Sequence, residues 1–195
     1  MVYDLLDMMK GEWIGGETLT RNNYGENFIS QLADLIAEVH TTKVPNSKVV
    51  NIRDVIGGLI QVDSFVHDCL VDWNTALRYS LNQSVFLHGD IHAGNVIVED
   101  GNLQGFIDWE HCAYGDPHWD FRMIRRWIGW DGLDELLFYY NCSTGFQCKR
   151  KYIEMLDKIA LCNSRQIRNF EDKLFDDYIK VWPSIPVPQK SYLKS

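Results

Sequence analysis

Apolar positions recur with two different periods along this chain, and the changes of period divide it. A helical stripe runs through Phe28, Leu32, Leu35, Ile36 and Val39, with Asn22 or Asn23 placed ahead of it to cap a helix. Pro45-Asn46-Ser47 interrupts that pattern. A second stripe, Phe65, Val66, Cys69, Leu70, Trp73, Leu77 and Leu81, predicts a helix from about Val62 to Leu81. The texture then changes. Val85-Phe86-Leu87 is a short apolar run leading into His88-Gly89-Asp90, and Val96-Ile97-Val98 and Leu103 to Ile107 flank Asp100-Gly101, a β-hairpin turn signal. Helical patterning returns after Pro117 and continues as far as Trp182. The prolines at 183, 186 and 188 exclude a helix and predict an extended tail over 183–195. The opening ten residues read as an extended segment ending in a Gly-rich turn, Gly11 to Gly16. With no internal repeat, the pattern predicts one α+β domain over 1–195, mainly helical, with a small β-hairpin at its centre.

Composition narrows the class. The chain has 195 residues, 46% of them hydrophobic and 24% charged, enough to bury a sizeable core and too apolar for disorder. A formal net charge of -8 repels phosphate backbones and anionic headgroups, so neither nucleic acid nor a membrane surface is an expected partner. No stretch is long and apolar enough to span a bilayer, and the N-terminal ten residues carry acidic side chains where an export signal needs basic ones. Five cysteines, Cys69, Cys112, Cys142, Cys148 and Cys162, form no CxxC pair and are odd in number. Reduced thiols in a cytoplasmic protein are the expectation.

The chemistry-bearing residues gather on the hairpin. Asp90 and Asn95 lie five apart in His88-Gly89-Asp90-Ile91-His92-Ala93-Gly94-Asn95, and Asp108 follows Asn95 by thirteen residues, with Tyr114-Gly115-Asp116-Pro117 and Asp120 behind it. Phosphoryl transfer needs a group that orients and deprotonates an attacking hydroxyl. It also needs hard oxygen ligands for the cation that neutralises nucleotide phosphates. A hairpin that returns Asp108 beside Asp90 and Asn95 would bring three such oxygens together.

The spacing of Asp90 and Asn95 matches the protein-kinase catalytic loop, with Asp108 in the place of the following metal-binding aspartate. The whole run HGDIHAGNVIVEDGNLQGFIDWEHCAYGDPHWDF resembles the aminoglycoside phosphotransferase and choline kinase superfamily, which shares the protein-kinase fold. Leu5 to Glu12 is similar to the hinge that joins the two lobes of that fold, and Leu32 to His40 to the helix after it. The resemblance implies an ATP-dependent kinase acting on a hydroxyl of a small acceptor, with Mg2+ as the metal. Asp90 would be the catalytic base, and His92 would donate a hydrogen bond near the transferred phosphate. Asn95 and Asp108 would hold magnesium, His88 would brace the loop, and backbone groups of Leu6, Asp7 and Met8 would meet the adenine. Asp116 and Asp120 would be scaffold residues. An acidic protein suits a cationic acceptor such as an aminoglycoside or choline, although sugars, homoserine-like alcohols and macrolides fit the same motif.

Two departures from the family pattern shape the expectation. Gly89 stands where many protein kinases carry an arginine, and the short distance from Asp108 to Pro117 leaves no room for a long regulatory loop. Control by phosphorylation is therefore not expected. The hinge-like segment begins at about Tyr3, so the chain reads as the large C-terminal lobe with the N-terminal lobe absent. That lobe would supply a glycine-rich loop and a lysine. A missing N-terminal lobe or an oligomeric partner would then complete the cleft; the alternative is a catalytically incomplete lobe that binds a ligand or protein. A metallophosphatase is disfavoured, because the upstream Asp-x-His and downstream Gly-Asn-His it requires are missing. Trp119, Phe121, Trp127 and Trp130 read as core packing in preference to a cation cage, and Glu171, Asp172, Asp176 and Asp177 as a solvated helix face.

Overall fold

A computed structural model describes residues 14–20, 22–44, 81, 83–154 and 156. The second predicted helix up to residue 80, the hinge-like segment over 1–12, the acidic stretch 171–177 and the tail lie outside the described residues.

The chain enters as β1 (Glu17–Thr18), turns, and forms α1 (Phe28–Thr41). The stripe is as predicted: Phe28, Leu32, Ile36 and Val39 are buried and Leu35 is half-buried against the core. The start of α1 is later than the asparagine signal suggests. Asn23 Oδ1 accepts from Thr20 N at 2.7 Å and its Nδ2 donates to Thr18 O at 3.0 Å, so this side chain closes the turn after β1. Gly25 N donates to Gly101 O at 2.7 Å, docking the chain on the hairpin tip before the helix can begin.

The hairpin forms where predicted, as β3 (Val96–Glu99) and β4 (Asn102–Phe106). Glu99 pairs with Asn102, leaving Asp100-Gly101 as a two-residue loop with φ of 49° and 78°. Both residues are left-handed, which suits the twist of the flanking strands. β1 adds to the other side of β3, giving a three-stranded antiparallel sheet in the order β1-β3-β4. One hairpin is therefore an undercount. Val85–Leu87 forms β2 and pairs antiparallel with β5 (Ala113–Gly115) in a second sheet. Three residues are too few for an alternation signal, and the partner lies 26 residues along in the register Leu87 with Ala113.

Beyond β5 a helical span, α2 (His118–Thr144), is interrupted at Gly129, whose φ of 73° and ψ of -176° break the helix in two. Gly145, at φ 73°, ends it in the left-handed conformation, with its N–H donated to Asn141 O. A further helical stretch occupies 150–154. Phe28, Leu32 and Ile36 from α1 pack with Phe121, Trp127, Leu133 and Leu137 from α2 and with Val96, Val98 and Phe106 from the sheet. Each such fully buried side chain contributes about 1.5–3 kcal/mol. Among the described residues the architecture is two long helices packed on two small sheets, a mixed α+β arrangement.

The aromatic set divides. Phe121 and Trp127 are core, as expected, while Trp119 carries the Arg122 guanidinium 4.0 Å from its ring centre. Arg125 and Arg150 lie over Trp130 at 4.6 and 4.5 Å, so the protein's own cations occupy these rings. Cys112, Cys142 and Cys148 are free thiols. Among the described residues no helix is long and apolar enough to cross a membrane.

Candidate active site

β2 delivers the chain into the loop 88–95, and each turn of that loop is held. Asp120, fully buried near the start of α2, accepts from His88 N at 2.9 Å through Oδ2 and from Gly89 N at 2.8 Å through Oδ1. Arg122 Nη2 donates to Gly89 O at 2.8 Å, so α2 grips this peptide at both ends. Gly89 has φ 88°, and a Cβ there would run into the His111 carbonyl. A side chain is disfavoured at the position where many protein kinases carry arginine. Burial pushes the Asp120 carboxyl up, but the hydrogen bond and electrostatic pull of the His40 N–H, the Gly89 amide and His88 outweigh it and hold Asp120 below the ordinary carboxylate value. It therefore stays ionised.

His88 is the hinge pin of the site. Its Nδ1 accepts from Asp90 N at 3.3 Å and its Nε2 meets Ile107 O at 2.9 Å, which requires the proton on Nε2. Burial holds its pKa below the usual imidazole value, against the charges of Asp120, Asp90 and Asp108 and the Ile107 carbonyl. The ring is packed between Phe106, at 5.4 Å, and Trp109, at 4.6 Å. These are bracing contacts, as the resemblance implied.

Three backbone links then gather the candidate residues. Asn95, buried, donates from Nδ2 to Asp90 O at 3.1 Å, which directs its Oδ1 away as the acceptor end. Asn95 O accepts from Ile107 N at 3.0 Å, stitching the end of β4 to the loop, and Asp108 is the next residue. Asp108 sits at φ 63°, ψ 68°, exposed, with no side-chain cap bond. His92 Nδ1 accepts from Gly94 N at 3.1 Å, and its Nε2 lies 3.7 Å from Asp90 Oδ2. Asp90, His92, Asn95 and Asp108 are thus brought together; Leu6, Asp7 and Met8 lie outside the described residues.

Among the described residues no group of three His, Cys, Asp or Glu side chains could enclose a metal. The fit to magnesium is of another kind. One amide oxygen and one carboxylate are hard donors, and magnesium commonly takes few protein ligands, completing its shell with water and substrate phosphate. Asn95 and Asp108 suit that demand.

Asp116 acts beside the helix start. Oδ1 accepts from His118 N at 3.0 Å and contacts Nδ1 at 2.6 Å, while Oδ2 accepts from Leu81 N at 3.2 Å. The pattern along the chain did not reveal that Asp120 is also bound by His40 Nε2, at 3.1 Å, from α1. A signal existed, since His40 continues the buried positions 32 and 36 at helical spacing. Also missed was an apolar outer face on the sheet. Ile97 and Gly105 are paired, Ile14 reaches over Gly105, and Ile107 lies two residues on, while Val96, Val98 and Phe106 face the core.

The fold is kinase-like. Solved structures that share it include macrolide 2'-phosphotransferase type I, with TM-score 0.61 and 20% identity over 83% of this chain and 56% of that one. The GDP complex of wild-type aminoglycoside 2'-phosphotransferase-IIIa gives TM-score 0.61 and 15% identity over 87% of this chain and 65% of that one. The chain belongs to the phosphotransferase enzyme family, which it matches over residues 5–148. A curated relative is the Bacillus subtilis (strain 168) uncharacterized protein YcbJ, 23% identical over 167 residues, 71% of this chain. The chain spans 53% of that relative's length.

Proposed function

We propose that this chain carries the nucleotide- and magnesium-handling site of a small-molecule kinase that moves the γ-phosphoryl group of ATP to an acceptor hydroxyl. The observation that carries the reading is the stitch through Asn95, whose side chain is bound to Asp90 O and whose carbonyl is bound to Ile107 N. It ties the loop of Asp90 and Asn95 to the residue before Asp108, which supports a base, an amide oxygen and a carboxylate acting at one site. Asp90 accepts the acceptor's hydroxyl proton as the new O–P bond forms and the bond from γ-phosphorus to the β–γ bridging oxygen breaks. His92, with Nδ1 occupied by Gly94 N, has Nε2–H free to donate to the transferred phosphoryl oxygens. Asn95 and Asp108 would hold magnesium, which would neutralise phosphate charge. The outer face of Ile14, Ile97 and Ile107 supports a nucleobase site beside Asp108. The resemblance would assign the adenine contacts to backbone groups of Leu6, Asp7 and Met8, which lie outside the described residues.

The acceptor we infer is a small compound with a hydroxyl group, cationic as an aminoglycoside or choline is; macrolide and aminoglycoside phosphotransferases are among the proteins that share the fold. Because one of those was solved with GDP, ATP and GTP belong side by side in the test. The experiment is calorimetric titration of each nucleotide with and without magnesium, using Asp108→Ala as control, followed by phosphate transfer to an acceptor panel. Magnesium-dependent binding lost in the control, together with turnover, supports the kinase. Binding without turnover, even with the remaining length of the relatives supplied, would favour a ligand-binding lobe.

A further inference from the structure

A buried line of polar groups runs from the far half of α2 to the loop that carries Asp90, and nothing in the chemistry above uses its outer end. Tyr140 lies beyond the break at Gly129, its hydroxyl 2.6 Å from His40 Nδ1. His40 Nε2 is 3.1 Å from Asp120 Oδ2, and Asp120 binds the amides of His88 and Gly89 at 2.9 and 2.8 Å. Tyr140 and Asp120 belong to opposite halves of α2, and His40, on α1, is what connects them.

We propose that the Tyr140 hydroxyl is a positioning group for the catalytic loop: by donating to His40 Nδ1 it obliges His40 to present Nε2–H to Asp120, which in turn holds the His88-Gly89 backbone.

For a neutral His40 ring these two contacts allow one arrangement. Asp120 is an ionised acceptor, so the nitrogen facing it must carry hydrogen. Nδ1 is then an acceptor in a dry interior and needs a donor. Tyr140 supplies it, since burial, then Cys148, Asp120 and Asp116, push its phenol up and keep it protonated. With the hydroxyl gone, the opposite ring tautomer competes, and that form turns a lone pair on the Asp120 carboxylate. The ring itself is held by Phe121 at 4.9 Å and Phe146 at 6.0 Å, so Tyr140→Phe removes the donor and keeps the packing.

The inference rests on the kinase reading only for its kinetic readout. On the full chain labelled with 15N-histidine, nitrogen–proton couplings report which His40 nitrogen bears hydrogen. Read at a pH where the ring is neutral, Nε2–H alone is expected in the native protein, and a mixture of tautomers in Tyr140→Phe. Amide exchange at His88 and Gly89 is expected to quicken about tenfold, the equivalent of one neutral hydrogen bond. Turnover is expected to fall about tenfold while KM for nucleotide and acceptor stays within about twofold. Tyr139→Phe, outside the line, is the control and leaves all three unchanged. In a His40→Gln background, Tyr140→Phe is expected to add little. An unchanged His40 tautomer and unchanged His88 and Gly89 exchange in Tyr140→Phe, or full additivity with His40→Gln, overturns the proposal. If the chain transfers no phosphate, the tautomer and exchange measurements still decide it, and the failure belongs to the kinase reading alone.

Discussion

Replacing Asp120 by Asn keeps the size of the side chain and one acceptor, but turns the other oxygen into a donor. Whichever way the amide is set, its NH2 meets a fixed N–H. That is Gly89 N at the Oδ1 position, or both His88 N and His40 Nε2 at the Oδ2 position. The better orientation places the carbonyl at Oδ2 and leaves the Gly89 amide unpaired, a cost of about 1–3 kcal/mol. The two bonds that survive lose charge assistance, roughly 1 kcal/mol each. The sum is about 3–5 kcal/mol, a large part of a typical domain's stability of about 5–15 kcal/mol. At roughly 2–4 °C per kcal/mol for a chain of this length, Tm should fall by about 6–20 °C. Circular dichroism melts at neutral pH, with urea unfolding beside them, measure this directly. The native carboxyl is held below its ordinary value of 3.8, so its contribution is fully present above that pH and is lost as pH falls through the folded value. The gap between the two proteins should therefore close in acid below about pH 4. A loss under about 1 kcal/mol at neutral pH would refute the argument that this carboxylate anchors the loop.

Asp90→Asn should lower phosphoryl transfer by about 10²–10⁴-fold, measured in a coupled nucleotide assay. It should leave Tm nearly unchanged, because the Asp90 carboxylate is 3.7 Å from His92 Nε2, too far for a hydrogen bond. Gly89→Ala combines φ 88° with a methyl group against the His111 carbonyl and should cost at least about 1–3 kcal/mol in urea unfolding. His88 is held below the ordinary value of 6.5, so as pH falls below it the unfolded chain takes up a proton that the folded chain refuses. The urea midpoint of the native protein should drop between about pH 6.5 and 5, and that slope should be smaller in His88→Gln.

What could be read from the chain depended on how local each feature is. Asp100-Gly101 between two β-rich runs predicts its hairpin because the turn residues and their partners are contiguous. The same closeness puts Asp108 next to the Asn95 link, so the return of that segment to the loop is legible from spacing. β2 and β5 were not, since each is three residues long and its partner is distant. The helix start was misplaced for a related reason: Asn23 is a good cap by type, but the long-range Gly25 to Gly101 bond commits that segment to the hairpin. A scaffold role for Asp120 is implied by the family resemblance, whereas its grip on residues 88 and 89 and its tie to His40, 80 positions away, are properties of the packed core.

The distribution of charge around His88 leads to a last expectation. Three carboxylates, those of Asp120, Asp90 and Asp108, bear on this one ring. The buried one is matched by two amides and an imidazole, while Asp108 is exposed and has no side-chain cap bond. A polyphosphate brought to Asp108 meets like charge, and one such pair about 4 Å apart near a protein surface costs about 4 kcal/mol. Unaided binding should therefore be poor, and a divalent cation should convert the repulsion into shared coordination. Nucleotide affinity measured by calorimetry should rise at least about a hundredfold on adding magnesium, the equivalent of about 2.7 kcal/mol. It should collapse with EDTA and respond weakly to magnesium in Asp108→Asn, whose neutral side chain removes both the repulsion and the ligand. Equal nucleotide affinity with and without magnesium in the native chain would mean that Asp108 does not face the phosphates.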